Sequence, residues 1–108
     1  MDANEFLARA DACLDRVAKW LETLDPDAVD YATGDGVVTI EFADGGKFIL
    51  SRQAATSQVW LAAGASGRHY DCDAASGRWR DDKDGHDLYQ RLAELISEKI
   101  SASIAPAE

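Results

Sequence analysis

The chain has 108 residues, enough for one domain with its own hydrophobic core and no need of covalent staples. Eleven Lys and Arg against 20 Asp and Glu leave a formal charge of −9. That charge argues against nucleic acid, whose phosphates would repel it, and favours cations or a basic protein surface.

No apolar run is long enough for a transmembrane helix or a secretory signal, so a cytoplasmic address with no membrane partner is expected. Cys13 and Cys72 are far apart and in no metal-binding spacing. Reduced thiols are expected rather than a disulfide or a zinc site.

The first helix is predicted over about Asn4–Leu24. Asp2 or Asn4 can cap it, and Glu5 in its first turn suits the helix dipole. Phe6, Ala10, Cys13, Leu14, Val17, Leu21 and Leu24 recur at spacings of three and four and form one apolar stripe. Cys13 is therefore a small core residue rather than a ligand. Asp11, Asp15 and Glu22 line a separate ridge, and Arg9, Arg16 and Trp20 another flank. Past the helix the acid continues with Asp25, Asp27 and Asp30, around Pro26, which cannot extend a helix.

Spacing alone favours an ordinary solvated face, with Lys19 paired to Asp15. Six acids between Asp11 and Asp30, with only Arg16 and Lys19 for local balance, also predict an electrostatically strained ridge. A bound cation or a basic partner would relieve the repulsion.

From Tyr31 the apolar period changes to two. Tyr31–Thr33 reads as a short strand, Gly34-Asp35-Gly36 as a tight turn, and Val37–Ala43 as a second strand with Val38, Ile40 and Phe42 on one face. Asp44-Gly45-Gly46 is a hairpin signal leading into Lys47–Arg52. In the strand Gln58–Ala62, Val59 and Leu61 take one face and Trp60 the other. Trp60 is either an exposed anchor for a partner or packed under a neighbouring loop.

Arg68–Asp73 and Gly77–Arg80 read as the last strands. His69 and Asp71 face one side, Tyr70 and Cys72 the other, and Trp79 is a core or edge aromatic. The last helix is predicted from Asp87, with Gln90 three residues on, and Leu88, Leu92, Leu95, Ile96 and Ile100 as its buried stripe. Residues 101–108 are expected to fray, with Ile104 able to dock between the helices. His86 has no ligand companion in sequence.

This order predicts an α+β fold. It is a two-layer α–β sandwich, an antiparallel sheet of five to six strands with the N- and C-terminal helices on one face. Thr39, Glu41, Ile49, Gln58 and Trp60 would lie on the open face. No Ser/His/Asp set, activated cysteine, phosphate-cradling glycine loop or His-rich cage is present.

The run Arg52-Gln53, then Gln58-Val59-Trp60-Leu61-Ala62, His69-Tyr70-Asp71, Trp79 and Asp84-Gly85 into the last helix, resembles the frataxin family in its bacterial, CyaY-type form. The resemblance covers nearly the whole chain. Ser51 stands where the family usually has Asn, and Lys19-Trp20 where more carboxylate is usual.

The resemblance implies a non-enzymatic accessory protein that docks on a cysteine desulfurase and iron–sulfur scaffold complex. It would modulate cluster assembly as iron donor or iron-sensitive regulator. It also implies weak iron binding on an acidic ridge, carried here by Asp11, Asp15, Glu22, Asp25, Asp27 and Asp30, with Asp35 as an extension. That ridge would meet a basic patch on the desulfurase. Trp60, Gln58, Thr39, Glu41, Arg52 and Gln53 would bind the partner scaffold. A monomer is expected, with iron-induced oligomers as the alternative state. The other functions open to such a chain are ferroxidase-like iron storage, haem binding through His69, His86 or a tyrosine, and a metal-free acidic interaction module.

Overall fold

Six strands follow one another across the sheet in chain order, an arrangement that short hairpin connections allow. In this computed structural model, which describes residues 1–107, helix α1 (Ala3–Leu21) precedes β1 (Val29–Gly34), β2 (Val37–Phe42), β3 (Lys47–Gln53), β4 (Gln58–Ala63), β5 (Ser66–Cys72) and β6 (Trp79–Asp81). Helix α2 (Leu88–Ile100) follows. Every pairing between neighbouring strands is antiparallel.

Strand alternation sends Val38, Ile40, Phe42, Leu50, Val59, Leu61 and Tyr70 inward, where they meet the stripes of both helices in one core. Only this face is covered, so the fold is the expected two-layer α–β sandwich with both helices on one side. Val59 and Leu61 are 0% and 1% exposed. Trp79 is buried edge-on to Phe6, with ring centroids 6.2 Å apart, and so belongs to the core.

Helix α1 starts where expected, with the Asp2 side chain accepting from Glu5 N at 2.8 Å. It stops at Leu21 rather than Leu24, because the chain tightens there. Thr23 N and Leu24 N donate to carbonyls three residues back, and the Thr23 hydroxyl bonds Trp20 O at 2.6 Å. Asp87 caps α2 through Gln90 N. Strand β1 is longer than expected. Asp30 looks like a loop residue, but on a strand it faces solvent and leaves Val29 free to be buried.

The C-terminal segment departs from the expected fraying. Ser101 adopts a left-handed conformation that ends α2 and turns the chain back. Ile104 N then donates to Ser97 Oγ at 3.1 Å, Trp20 Nε1 donates to Ala105 O at 3.0 Å, and Ala107 is buried. Backbone hydrogen bonding and apolar burial hold this segment against the helices. Glu108 lies outside the described residues.

Candidate functional site

Two surfaces stand out, an acidic edge along α1 and the open face of the sheet. The six ridge acids share no single point on that edge. Asp11 and Asp15 line a groove between α1 and the β1–β2 turn, together with Asp35 and Arg52. Arg52 projects from β3 on the covered side, in register with the buried Val59, and donates to Asp11 and, at 3.2 Å, to Asp35. These bonds, Asp11 first, hold the guanidinium's proton still more firmly than usual.

Gly36 makes the placement of Arg52 possible. Its φ of +71° favours glycine, and a Cβ there would lie 3.0 Å from the guanidinium carbon. Its carbonyl also accepts from Arg52 N at 2.8 Å.

The other acids are dispersed. Asp15 pairs with Lys19 at 3.0 Å. Glu22 accepts from the Tyr31 hydroxyl, a bond that raises the phenol above its ordinary range. Asp25 Oδ1 accepts from Asp27 N at 2.9 Å, and both residues border a second groove that holds the ion pair Lys99–Asp44, 2.7 Å apart. Asp30 turns to the opposite face of the sheet, directly across from Glu41.

Among the described residues, only one group of three or more His, Cys, Asp or Glu ligand atoms lies within 4.8 Å of one another, and no ridge acid belongs to it. The edge is a field of exposed carboxylates, some already paired, rather than a preformed cage. Such oxygens suit hard cations held weakly and in rapid exchange.

The open face is better organised. Val37, Ser51, Trp60 and His69 form one row across four strands. The Trp60 and His69 rings stack with centroids 4.5 Å apart and planes 26° from parallel. Trp60 Nε1 donates to Gln58 Oε1 at 3.0 Å. Gln58 Nε2 in turn donates to Asp71 and Asp82, each at 3.1 Å. His69 Nδ1 lies 3.7 Å from Asp82 Oδ2.

The indole is thus held at a fixed angle before any partner arrives, which reduces the side-chain entropy lost on docking. Thr39 and Ile49 pair in the adjacent row, and Ile49 is an exposed large apolar residue of this face. Glu41 faces Lys47 across the strand pair, 3.9 Å away. Gln53 reaches Ser51 Oγ at 3.0 Å and stays on this side. Arg52 does not, since its head group is taken up by the acidic edge.

Sequence spacing hid Arg52's role because its partner Asp11 is 41 residues away. Asp82 was missed as well. It follows the last strand and reaches the open face only because its N–H bonds His69 O at 2.9 Å.

Together the fold and these surfaces define a small two-layer α+β protein with an acidic helix edge beside an exposed aromatic sheet face. The chain belongs to the frataxin-like family, and residues 1–102 match that family's frataxin-like domain. It is 38% identical over 104 residues to the iron-sulfur cluster assembly protein CyaY of Dechloromonas aromatica, covering 96% of this chain and 97% of that one. It is also 38% identical over 100 residues to the CyaY of Pseudomonas fluorescens, covering 90% and 91%.

Among solved structures, the frataxin of Psychromonas ingrahamii superposes with a TM-score of 0.87 at 32% identity, covering 96% of both chains. A trimeric frataxin of Saccharomyces cerevisiae, complexed with ferrous iron, superposes with a TM-score of 0.75 at 30% identity, covering 86% of both chains. Among the described residues, no helix is long and apolar enough to cross a membrane.

Proposed function

We propose that this chain is a cytoplasmic accessory protein of iron–sulfur cluster assembly that docks on a cysteine desulfurase and its scaffold protein, rather than an enzyme in its own right. The observation that carries the reading is the open sheet face. Trp60 is stacked on His69 and hydrogen-bonded to Gln58 there, a preorganised aromatic anchor with polar neighbours. The names of its close relatives support the pathway.

On this reading the acidic edge supplies attraction rather than a cage. Asp11, Asp15, Asp35, Glu22, Asp25 and Asp27 would meet a basic patch on the desulfurase and hold Fe²⁺ or Fe³⁺ loosely as cargo. Trp60, Gln58, Thr39 and Gln53 would face the scaffold, and the iron on the edge would sensitise docking to iron supply.

The test is a pull-down of the desulfurase–scaffold complex by the full chain, with and without Fe²⁺, beside the Trp60→Ala variant. Capture by the wild type that Trp60→Ala loses is the expected result. Equal capture by both proteins removes the sheet face from the interface, and no capture under either condition rejects the docking reading.

A further inference from the structure

Among the described residues, the one convergent set of metal-ligating side chains lies at the far edge of the sheet from β1, in the turn between β6 and α2. Asp81, Asp84 and His86 each present a ligand atom there, all within 4.8 Å of one another. We propose that these three residues form a cation site for a divalent first-row transition ion such as Zn²⁺, separate from the acidic edge of α1. One imidazole with two carboxylates is a donor set of borderline softness. It suits Zn²⁺, Fe²⁺ or Co²⁺ better than the carboxylate-only edge does.

The local backbone builds this set. Asp81 Oδ1 accepts from Lys83 N at 2.8 Å and from Asp84 N at 3.1 Å, which fixes its carboxylate in the turn. Gly85, with φ +75°, reverses the chain so that the carboxylate of Asp84 meets both the backbone N–H and the ring of His86. Asp81 N donates to His86 O at 2.9 Å and closes the loop.

The two ring nitrogens of His86 have different neighbours. Nε2 lies 2.8 Å from the hydroxyl of the fully buried Tyr70 and 4.0 Å from Asp81 Oδ2, whereas Nδ1 faces Asp84. A metal-ligating histidine commonly donates its other N–H to a fixed acceptor, and the Tyr70 oxygen is placed to be that acceptor. Nδ1 is then the nitrogen that offers a lone pair to an ion, on the side where Asp84 stands. An ion bound between Nδ1 and the Asp84 carboxylate takes the place of the hydrogen bond those two groups share.

Around a tetrahedral ion with bonds of about 2.1 Å, donors sit about 3.4 Å apart. The present spread therefore closes with a small movement, and the Asp84 side chain, 63% exposed, is free to make it. Two arginines border one cleft here, and each has a hydrogen-bond partner in it. Arg91 Nε bonds Glu94 at 3.1 Å, and Arg80 Nη1 bonds Gly85 O at 3.3 Å. That cleft, bordered by Arg80, Gly85, His86, Gln90 and Arg91, reaches the His86 ring from solvent.

The test is a titration of the full ¹⁵N-labelled chain with Zn²⁺, read at the imidazole nitrogens. At one equivalent, His86 Nδ1 is expected to move to a metal-bound shift while Nε2 shows no metal-bound shift and His69 is undisturbed. His86→Gln and Asp84→Asn should each weaken Zn²⁺ affinity at least tenfold, the loss that removing even an outer-shell partner can cause. The site is refuted if the His86 ring does not respond to Zn²⁺, if His69 responds in its place, or if either variant loses less than tenfold. The wild-type ring shifts stand even if a variant folds poorly.

Discussion

The guanidinium of Arg52 on β3 donates to the carboxylate of Asp11 on α1, so the acidic edge carries its own internal counter-ion. Asp35 shares the same group from the β1–β2 turn. Removing this cation should leave both carboxylates free to face solvent ions. Arg52→Gln is expected to tighten Co²⁺ or Fe²⁺ binding at the Asp11–Asp35 groove by about tenfold at low salt. The gain should be smaller at 0.1 M, where the Debye length is about 10 Å. A slightly lower Tm should accompany it. Calorimetric titration at two salt concentrations checks the first point, and unchanged affinity would mean that the ion binds elsewhere.

Two tryptophans offer a direct contrast. Trp79 is 2% exposed and packs on Phe6, so Trp79→Ala should cost about 3–5 kcal/mol of stability. Trp60 lies on the open face, stacked on His69 and hydrogen-bonded to Gln58. Trp60→Ala should therefore leave the melt nearly unchanged while weakening scaffold binding by about 2 kcal/mol or more. Denaturant melts of both variants beside a binding assay separate the roles, and a Trp60→Ala protein as unstable as Trp79→Ala would refute them.

Most of the fold was legible because it rests on local periodicity. The α1 stripe from Phe6 to Leu21 and the alternation in Val37–Phe42 and Gln58–Ala63 each report a buried face without knowledge of the rest. The phase of Trp60 against Val59 and Leu61 was legible for the same reason. The composition of the acidic edge could also be read, but its arrangement could not. Whether Asp30 shares a face with Asp11 depends on β1 starting at Val29, one residue before it, and pairing it with Glu41. The reach of Arg52 to α1 and the strap from Trp20 to Ala105 join residues distant in sequence, and no periodic pattern records such pairs.

Acid should weaken the native state through three carboxylates held below their ordinary value of 3.8. Asp44 is lowered chiefly by Lys99, Asp73 by the Ser76 hydroxyl, and Asp84 by the backbone N–H of His86. A depressed folded value means that the unfolded chain takes up protons first as pH falls. Their contribution is therefore complete above about pH 3.8 and is lost below it. For these groups Tm should be flat with pH well above that point. Asp44→Asn should melt lower than the wild type at pH 6, with the gap closing below about pH 3.8. Melts of both proteins from pH 6 to pH 2.5 test this, and a gap that persists at the acid end would assign the stabilisation to something other than the Asp44 charge.

The uniformly strained ridge expected from the sequence does not survive the geometry. Asp11 is bonded to Arg52, Asp15 to Lys19 and Glu22 to Tyr31, while Asp25 and Asp30 accept from backbone N–H groups, so five of the six acids already have favourable partners. Asp30 stands directly opposite Glu41, and like charges so placed cost up to a few tenths of a kcal/mol. Neither Asp27 nor Asp30 makes an ion pair with any cation among the described residues. Two amide variants should therefore move in opposite directions at low salt. Asp11/Asp15/Glu22 changed together to Asn/Asn/Gln should lower Tm by removing paired charges. Asp27/Asp30 changed to Asn/Asn should raise it slightly by relieving repulsion. Added salt should shrink both differences, because screening weakens attraction and repulsion between exposed charges alike. Thermal melts of the two variants and the wild type at 10 mM and 500 mM salt, roughly a 30 Å and a 4 Å screening length, decide the matter. A rise in Tm for the triple variant at low salt would mean that its pairs in the native state are too well solvated to offset the net charge of −9.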